Sequence, residues 1–128
     1  MKVILDTNFL IYCAKNRMDY TEEISNLLNE NYELVVPLQV INELKKLKDD
    51  KLKKVSWKDK SAADLALQLI EKNQIQKIKP EGKNTDEALI NLSKKDKKNI
   101  VATLDREMRH ILGRVILINN QNELIITR

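Results

Sequence analysis

Four acidic residues stand at points where separate segments of the chain would bring carboxylates together. They are Asp6, Glu43, Asp86 and Asp105. Asp6 directly follows a short apolar strand predicted at 2–5, and Asp105 follows a strand predicted at 99–104. Asp86 falls in the first turn of a helix that Thr85 opens, and Glu43 lies in the helix after another strand. Because ligands of open parallel α/β sheets bind beyond the carboxyl ends of the strands, we expect most of these acids at one edge.

Two hypotheses explain these acids. Each aspartate alone is explained by helix capping, since an acid at a helix start binds free backbone N–H groups. Glu43 fits that explanation poorly, because it lies between the apolar residues Ile41 and Leu44, and a buried lone carboxylate is costly. Converging carboxylates would repel one another, which a divalent cation prevents. Oxygen ligands suit Mg²⁺ or Mn²⁺, and zinc is disfavoured because His110 and Cys13 are the sole residues of their types.

The elements that must position these acids alternate along the chain. Short apolar strands are predicted at 2–5, 33–36, 75–78, 99–104, 115–118 and 124–127. Longer helices are predicted at 7–15, 21–29, 38–48, 61–72, 85–94 and 105–112. Strands separated by helices pair in parallel through helical crossovers, so the sequence predicts an α/β sandwich.

Length and composition indicate one soluble domain spanning residues 1–128. Apolar residues make up 42% of the chain and charged residues 33%, which is ordinary for a protein with one hydrophobic core. No apolar run approaches the roughly 20 residues that span a bilayer, so we expect no membrane partner. The start of the chain has no signal-peptide pattern, which predicts a cytoplasmic protein.

Positive charge is concentrated in residues 45–60, which hold eight lysines against three aspartates. A local basic patch is typical of nucleic-acid binding, although a solvated helical surface explains it as well. Trp57 in this segment either stacks on a base or anchors the segment to the core. The candidate RNA-binding residues are Lys45, Lys46, Lys48, Lys51, Lys53, Lys54, Trp57 and Lys58, together with Arg106 and Arg109.

Four segments carry the acids in order: VILDTNFLI, VPLQVINELKKL, NTDEAL and IVATLDREMR. In residue types, order and spacing they resemble the PIN-domain ribonuclease family, and the resemblance covers essentially the whole chain. The last segment, with RVILI after it, is most similar to the branch of ribosomal-RNA-processing endonucleases and their small archaeal relatives. The Vap-type toxin ribonucleases form the neighbouring branch.

The resemblance implies a three-layer α/β/α sandwich with a central, mainly parallel sheet and an endoribonuclease that depends on Mg²⁺ or Mn²⁺. Carried over to this sequence, it makes Asp6, Glu43, Asp86 and Asp105 the catalytic, metal-binding quartet. Supporting residues are Thr7, Asn8, Thr103, Glu87 and Glu107, the two glutamates as outer-sphere acids. Leu104 stands where many relatives carry asparagine, so that position is given no polar role.

The resemblance leaves the biological role open between ribosomal RNA processing, a toxin of a toxin–antitoxin pair, and an RNA-binding scaffold that does not cut. The corresponding partners are RNA, a pre-ribosomal protein or an antitoxin, and a second copy of the chain in a homodimer.

The expected chemistry is hydrolysis by an activated water. Metal-independent ribonucleases need general acid–base side chains, most often histidines, and His110 alone supplies no pair. We therefore expect products with 5′-phosphate and 3′-hydroxyl ends. A strand ending in aspartate also begins haloacid-dehalogenase-like phosphatases, but Asn8 stands where their second aspartate would be.

Overall fold

A six-stranded sheet forms the centre of the computed structural model, which describes residues 1–51 and 54–127. In chain order the elements are β1 (Lys2–Leu5), α1 (Thr7–Lys15), α2 (Tyr20–Leu27), β2 (Glu33–Pro37), α3 (Leu38–Lys48), α4 (Trp57–Lys72), β3 (Gln76–Ile78), α5 (Thr85–Lys95), β4 (Ile100–Ala102), α6 (Arg106–Leu112), β5 (Val115–Ile118) and β6 (Leu124–Ile126). The strand order is β3-β2-β1-β4-β5-β6. All neighbouring strands pair in parallel except β5 and β6, which pair antiparallel.

Helices cover both faces of this sheet, because successive residues of a strand point to opposite sides. Val3 and Leu5 of β1 belong to a buried cluster that includes apolar residues of α1, α2, α3 and α4. Ile4, between them, belongs to a second buried cluster with Leu89 of α5 and Met108 of α6. The three-layer α/β/α sandwich is therefore confirmed. In the described part of the chain, no helix is both long and apolar enough to cross a membrane.

The strand order places the ends of β1 and β4 side by side at the middle of the sheet. Leu5 pairs with Ala102, and the Asp6 N–H donates to the Ala102 carbonyl at 3.0 Å. Strands β2 and β3 lie on one side of β1, and β4 lies on the other side. The direction in which the chain adds strands to the sheet therefore reverses at β1. Such a reversal opens a crevice at the carboxyl ends of the two strands, and it is there that open α/β sheets bind ligands.

Most predicted boundaries lie within two residues of those of the structure, and two of the differences bear on the site. Helix α4 begins at Trp57 rather than at residue 61, because the Ser56 hydroxyl caps it by accepting from the Asp59 N–H at 3.1 Å. Strand β4 ends at Ala102 rather than at residue 104. Thr103 and Leu104 instead belong to the loop whose hydrogen bonds shape the site described next.

Candidate active site

A cavity of about 510 Å³ opens beyond the ends of β1 and β4, and all four candidate acids line it. Asp6 comes from the end of β1, Glu43 from α3, Asp86 from the first turn of α5, and Asp105 from the start of α6. The other lining residues are Thr7, Asn8, Ile11, Tyr12, Lys15, Leu47, Asp59, Thr85 and Leu104. We refer to this space as the acid cavity.

Asp6 is the most deeply placed of the acids, with 5% of its surface exposed. Its Oδ1 accepts from the Thr7 N–H at 2.7 Å, and its Oδ2 accepts from the Thr103 hydroxyl at 2.6 Å. Burial raises the pKa of Asp6 above its ordinary value, and repulsion from Asp86 and Asp105 adds to the rise, while the two hydrogen bonds oppose it. A buried negative charge at this point is therefore costly.

Thr103 joins the two strand ends. Its Oγ1 donates to Asp6 and accepts from the Asp105 N–H at 3.1 Å. Beside it, Asn8 Oδ1 accepts from the Leu104 N–H at 3.0 Å. The polar residues predicted to support the acids, Thr103 and Asn8, thus hold the loop after β4 against the start of α1.

Asp105 is partly buried and caps α6. Its Oδ1 accepts from the Glu107 N–H at 2.9 Å and from the Met108 N–H at 3.4 Å. Its Oδ2 makes no hydrogen bond to any residue in the ranges 1–51 and 54–127. Helix capping therefore uses one oxygen of this carboxylate and leaves the other available to a ligand.

Glu43 lies at the rim of the acid cavity and is exposed, although its apolar neighbours in the sequence suggested a buried carboxylate. Its Oε1 accepts from the Thr85 hydroxyl, which links α3 to the start of α5. Partial burial raises the pKa of Glu43, and repulsion from Asp6 and Asp86 raises it further, while Lys46 lowers it. The Thr7 hydroxyl also lowers the pKa of Glu43. The Thr7 Oγ1 atom is buried, and its distances and angles to the described residues do not meet those of a hydrogen bond.

Asp86 is held at the cavity by the loop that precedes α5. Gln39 of α3 donates from Nε2 to the carbonyls of Pro80 and Gly82, each at 3.0 Å. Gly82 has a φ of +149°, and a Cβ there would lie 2.6 Å from the Ala88 nitrogen, so only glycine fits this close approach. The loop therefore fixes the first turn of α5 against α3, with Asp86 exposed to the cavity.

Two charged residues of the acid cavity were missed by the sequence analysis. Lys15, in the last turn of α1, forms an ion pair with Asp59, in the first turn of α4. The pKa of Asp59 is lowered by its hydrogen bond to Lys15. The signal that would have found Lys15 is helical spacing, since Asn8, Ile11, Tyr12 and Lys15 recur on one face of α1 and all line the cavity. No such spacing pattern marked Asp59, which lies within the lysine-rich segment 45–60.

The two predicted outer-sphere acids do not line the acid cavity. Glu87 Oε2 accepts from the Lys83 N–H at 2.8 Å and so closes the loop before α5. Glu107 is exposed on α6, and its N–H donates to Asp105. Their suggested role therefore has no geometric support beyond their position next to cavity residues.

The candidate RNA-binding residues are exposed wherever the structure describes them; Lys53 lies outside the described residues. Lys46 is near enough to Glu43 to lower its pKa, whereas Lys48 forms an ion pair with Asp64 at 3.2 Å. Trp57 is 78% exposed, so the interpretation that it anchors the basic segment to the core is wrong. Its indole is free to contact a ligand.

The acid cavity offers carboxylate and hydroxyl oxygens, which are ligands that suit a hard divalent cation. Mutual repulsion of the acids and the unpaired Thr7 hydroxyl are the features that such an ion would relieve. As the side chains are placed, no three His, Cys, Asp or Glu groups of residues 1–51 and 54–127 form a ligand cluster. The residues therefore fit such an ion by the chemistry of their oxygens.

Comparison with known proteins agrees with this geometry. A PIN-like domain family model matches residues 3–120. Ribonuclease VapC4 of Methanocaldococcus jannaschii is 34% identical over 111 residues, which cover 87% of this chain and 82% of that protein. The PIN domain endonuclease Utp24 has a TM-score of 0.76 at 20% identity, covering 98% of this chain and 90% of that chain. VapBC-1 from nontypeable Haemophilus influenzae has a TM-score of 0.58 at 19% identity, covering 88% and 93%. The fold, the matched range and the related ribonuclease together establish that this chain belongs to the PIN-like domain family.

Proposed function

We propose that this protein is an endoribonuclease that depends on Mg²⁺ or Mn²⁺ and hydrolyses RNA phosphodiester bonds at the acid cavity. The observation that carries the proposal is that acids from four separate elements line one cavity at the reversal of strand order. The related ribonuclease, 34% identical to this chain, supports the substrate class.

The four acids are the proposed ligands, Asp6 and Asp105 directly, and Glu43 and Asp86 directly or through water. When bound, a divalent cation offsets their charge, lowers the pKa of a bound water and stabilises the leaving oxygen. Thr103 keeps Asp6 oriented by donating to its Oδ2, and α6 keeps Asp105 oriented by occupying its Oδ1. Lys15, which is paired with Asp59, lines the same cavity, and its ammonium group is the proposed contact for an incoming phosphate.

The proposal is tested by incubating a mixed RNA pool, including structured ribosomal fragments, with the protein in Mn²⁺, in Mg²⁺ or in EDTA. We expect cleavage only with the metal, and products that carry 5′-phosphate and 3′-hydroxyl ends. Cyclic phosphates together with full activity in EDTA would refute the mechanism. Metal binding without cleavage of any RNA in the pool would favour the scaffold that does not cut.

Trp57 gives a direct measure of RNA binding, because it is the sole tryptophan of the chain and its indole is 78% exposed. Stacking on a base is worth about 1–3 kcal/mol, so Trp57→Ala should weaken RNA binding by roughly 5- to 150-fold. We expect RNA to quench the fluorescence of the wild type in EDTA, with Tm of the variant close to that of the wild type. Unquenched fluorescence at saturating RNA would exclude Trp57 from the interface, and Leu65→Ala, at another exposed position on α4, is the matched control.

The identity to a VapC ribonuclease favours a second, more specific role, that of a toxin restrained by an antitoxin. Ribosomal RNA processing remains the role that the sequence resemblance favours. Expression in a heterologous host separates them, since a toxin arrests growth in a manner that depends on Asp6. A processing enzyme instead binds precursor ribosomal RNA.

A further inference from the structure

A second cavity, of about 600 Å³, lies between α6 and the turn that joins β5 to β6. Tyr12 and Leu104 line both this space and the acid cavity, so the two are adjacent. The Tyr12 hydroxyl donates to Asn122 Oδ1 and thereby ties the turn to α1. We call this second space the arginine groove, after Arg106 and Arg109 on its α6 side.

The two arginines of the groove are not paired with acidic side chains of the described residues. Arg106 and Arg109 are both exposed, and their spacing of three residues places them on one face of α6. Neither forms an ion pair with an acid in the part of the chain that the structure describes. Two guanidinium groups that face an open groove and lack protein partners suit the phosphates of a nucleic-acid backbone.

The opposite wall of the groove offers amide groups on a turn that is closed by its own hydrogen bonds. Asn119 Oδ1 accepts from the N–H groups of Gln121 and Glu123, at 2.9 and 3.0 Å, and Asn122 adopts a φ of +59°. Asn120 is exposed, and its amide makes no hydrogen bond within residues 1–51 and 54–127. Free amides on a fixed backbone can pair with the edges of unstacked bases, which are accessible only in single strands.

We propose that the arginine groove binds the single-stranded RNA that flanks the bond cut in the acid cavity, an inference that rests on the proposed function. One strand crosses Tyr12 and Leu104 from cavity to groove. Arg106 and Arg109 neutralise its phosphates, and Asn120 contacts a base. The groove thus selects unpaired RNA next to the cleavage point, in a part of the molecule separate from the lysine-rich segment.

The test is the salt dependence of binding to a labelled single-stranded RNA of about 20 nucleotides, which is longer than the roughly 4–16 nucleotides of a typical single-strand binding site. Binding is measured in EDTA, so that cleavage plays no part. Each phosphate contact in a single strand contributes about −0.7 to the slope of log K against log salt. We expect the double variant Arg106→Gln/Arg109→Gln to flatten the slope by about 1.4 and to weaken binding several-fold.

The matched control is Arg114→Gln, which removes the same charge from an exposed residue that lines neither cavity. An unchanged slope in the double variant, or an equal change in the control, would overturn the proposal. An equal change with a duplex of the same sequence would overturn the preference for single strands. Wild-type cleavage in Mn²⁺ is measured in parallel: its absence would count against the nuclease, whereas cleavage with an unchanged slope counts against the groove alone.

Discussion

Replacing Asp6 by asparagine is expected to lower RNA cleavage by about a hundredfold or more, as loss of a metal-site group does, while leaving the fold more stable. Asp6 is buried, and burial together with repulsion from Asp86 and Asp105 raises its pKa above the ordinary value of 3.8. The folded state thus binds this proton more tightly than the unfolded chain does. The resulting stabilisation is fully present below pH 3.8 and is lost as the pH rises through the raised pKa.

At neutral pH the wild type therefore bears the cost of a buried charge that asparagine does not carry. We expect the free energy of unfolding of Asp6→Asn to exceed that of the wild type by roughly 1 kcal/mol in EDTA, the scale on which active sites trade stability for function. Urea unfolding at neutral and acidic pH measures this, and the difference between the two proteins should shrink on acidification.

Asp96→Asn is the control for both measurements, because Asp96 is an exposed acid at the end of α5 and does not line the acid cavity. It should leave cleavage unchanged. If Asp6→Asn cut RNA as fast as the wild type, the acid cavity would not be the site of hydrolysis. If the variant were less stable at neutral pH, capping of α1 and the bond to Thr103 would outweigh the cost of the charge.

Mn²⁺ or Mg²⁺ is expected to raise the Tm of the wild type, since a ligand that binds only the folded state stabilises it by mass action. At a concentration one hundred times the dissociation constant, the gain is about 2.7 kcal/mol, which corresponds to roughly 10 °C for a protein of this size. Calorimetry or a dye-based melt without RNA measures the shift, so the result does not depend on activity.

The increase in Tm that the metal causes should be strongly reduced in Asp6→Asn and Asp105→Asn and retained in Asp96→Asn. Potassium chloride at matched ionic strength separates specific binding from screening of charge repulsion, which acts weakly on buried groups. Equal shifts with both salts, or in all variants, would contradict a metal site in the acid cavity.

The sequence predicted the candidate site best where an acidic residue directly follows a strand. Asp6 and Asp105 were placed correctly at one sheet edge because their strands were recognisable and parallel pairing dictates where such ends meet. Glu43 was expected among apolar neighbours, but the buried residues of α3 are Val40, Ile41 and Leu44, and Glu43 is exposed. Hydrophobic neighbours in a helix sequence do not surround a residue in space.

Other features depend on contacts between distant segments, which no local pattern reports. The pairing of Lys15 with Asp59 needs α1 and α4 to meet, and the arginine groove needs the β5–β6 turn to stand beside α1. Trp57 was ambiguous because an aromatic residue at a helix start suits a core or a surface equally well. The packing of α4, which the sequence does not reveal, places the indole at the protein surface.

The turn between β5 and β6 has a consequence for how relatives of this protein could diverge. Its hydrogen bonds are largely internal to residues 119–123, and Tyr12 joins it to α1 through Asn122. The carboxylates, by contrast, are positioned by β1, α3, α5 and the loop after β4. Surface turns accept insertions and substitutions readily, whereas packed strand ends do not. On the proposed roles of the groove and the acid cavity, a lengthened or altered turn would change which RNA is accepted while leaving the carboxylates in place. Substrate choice and cutting could then evolve independently.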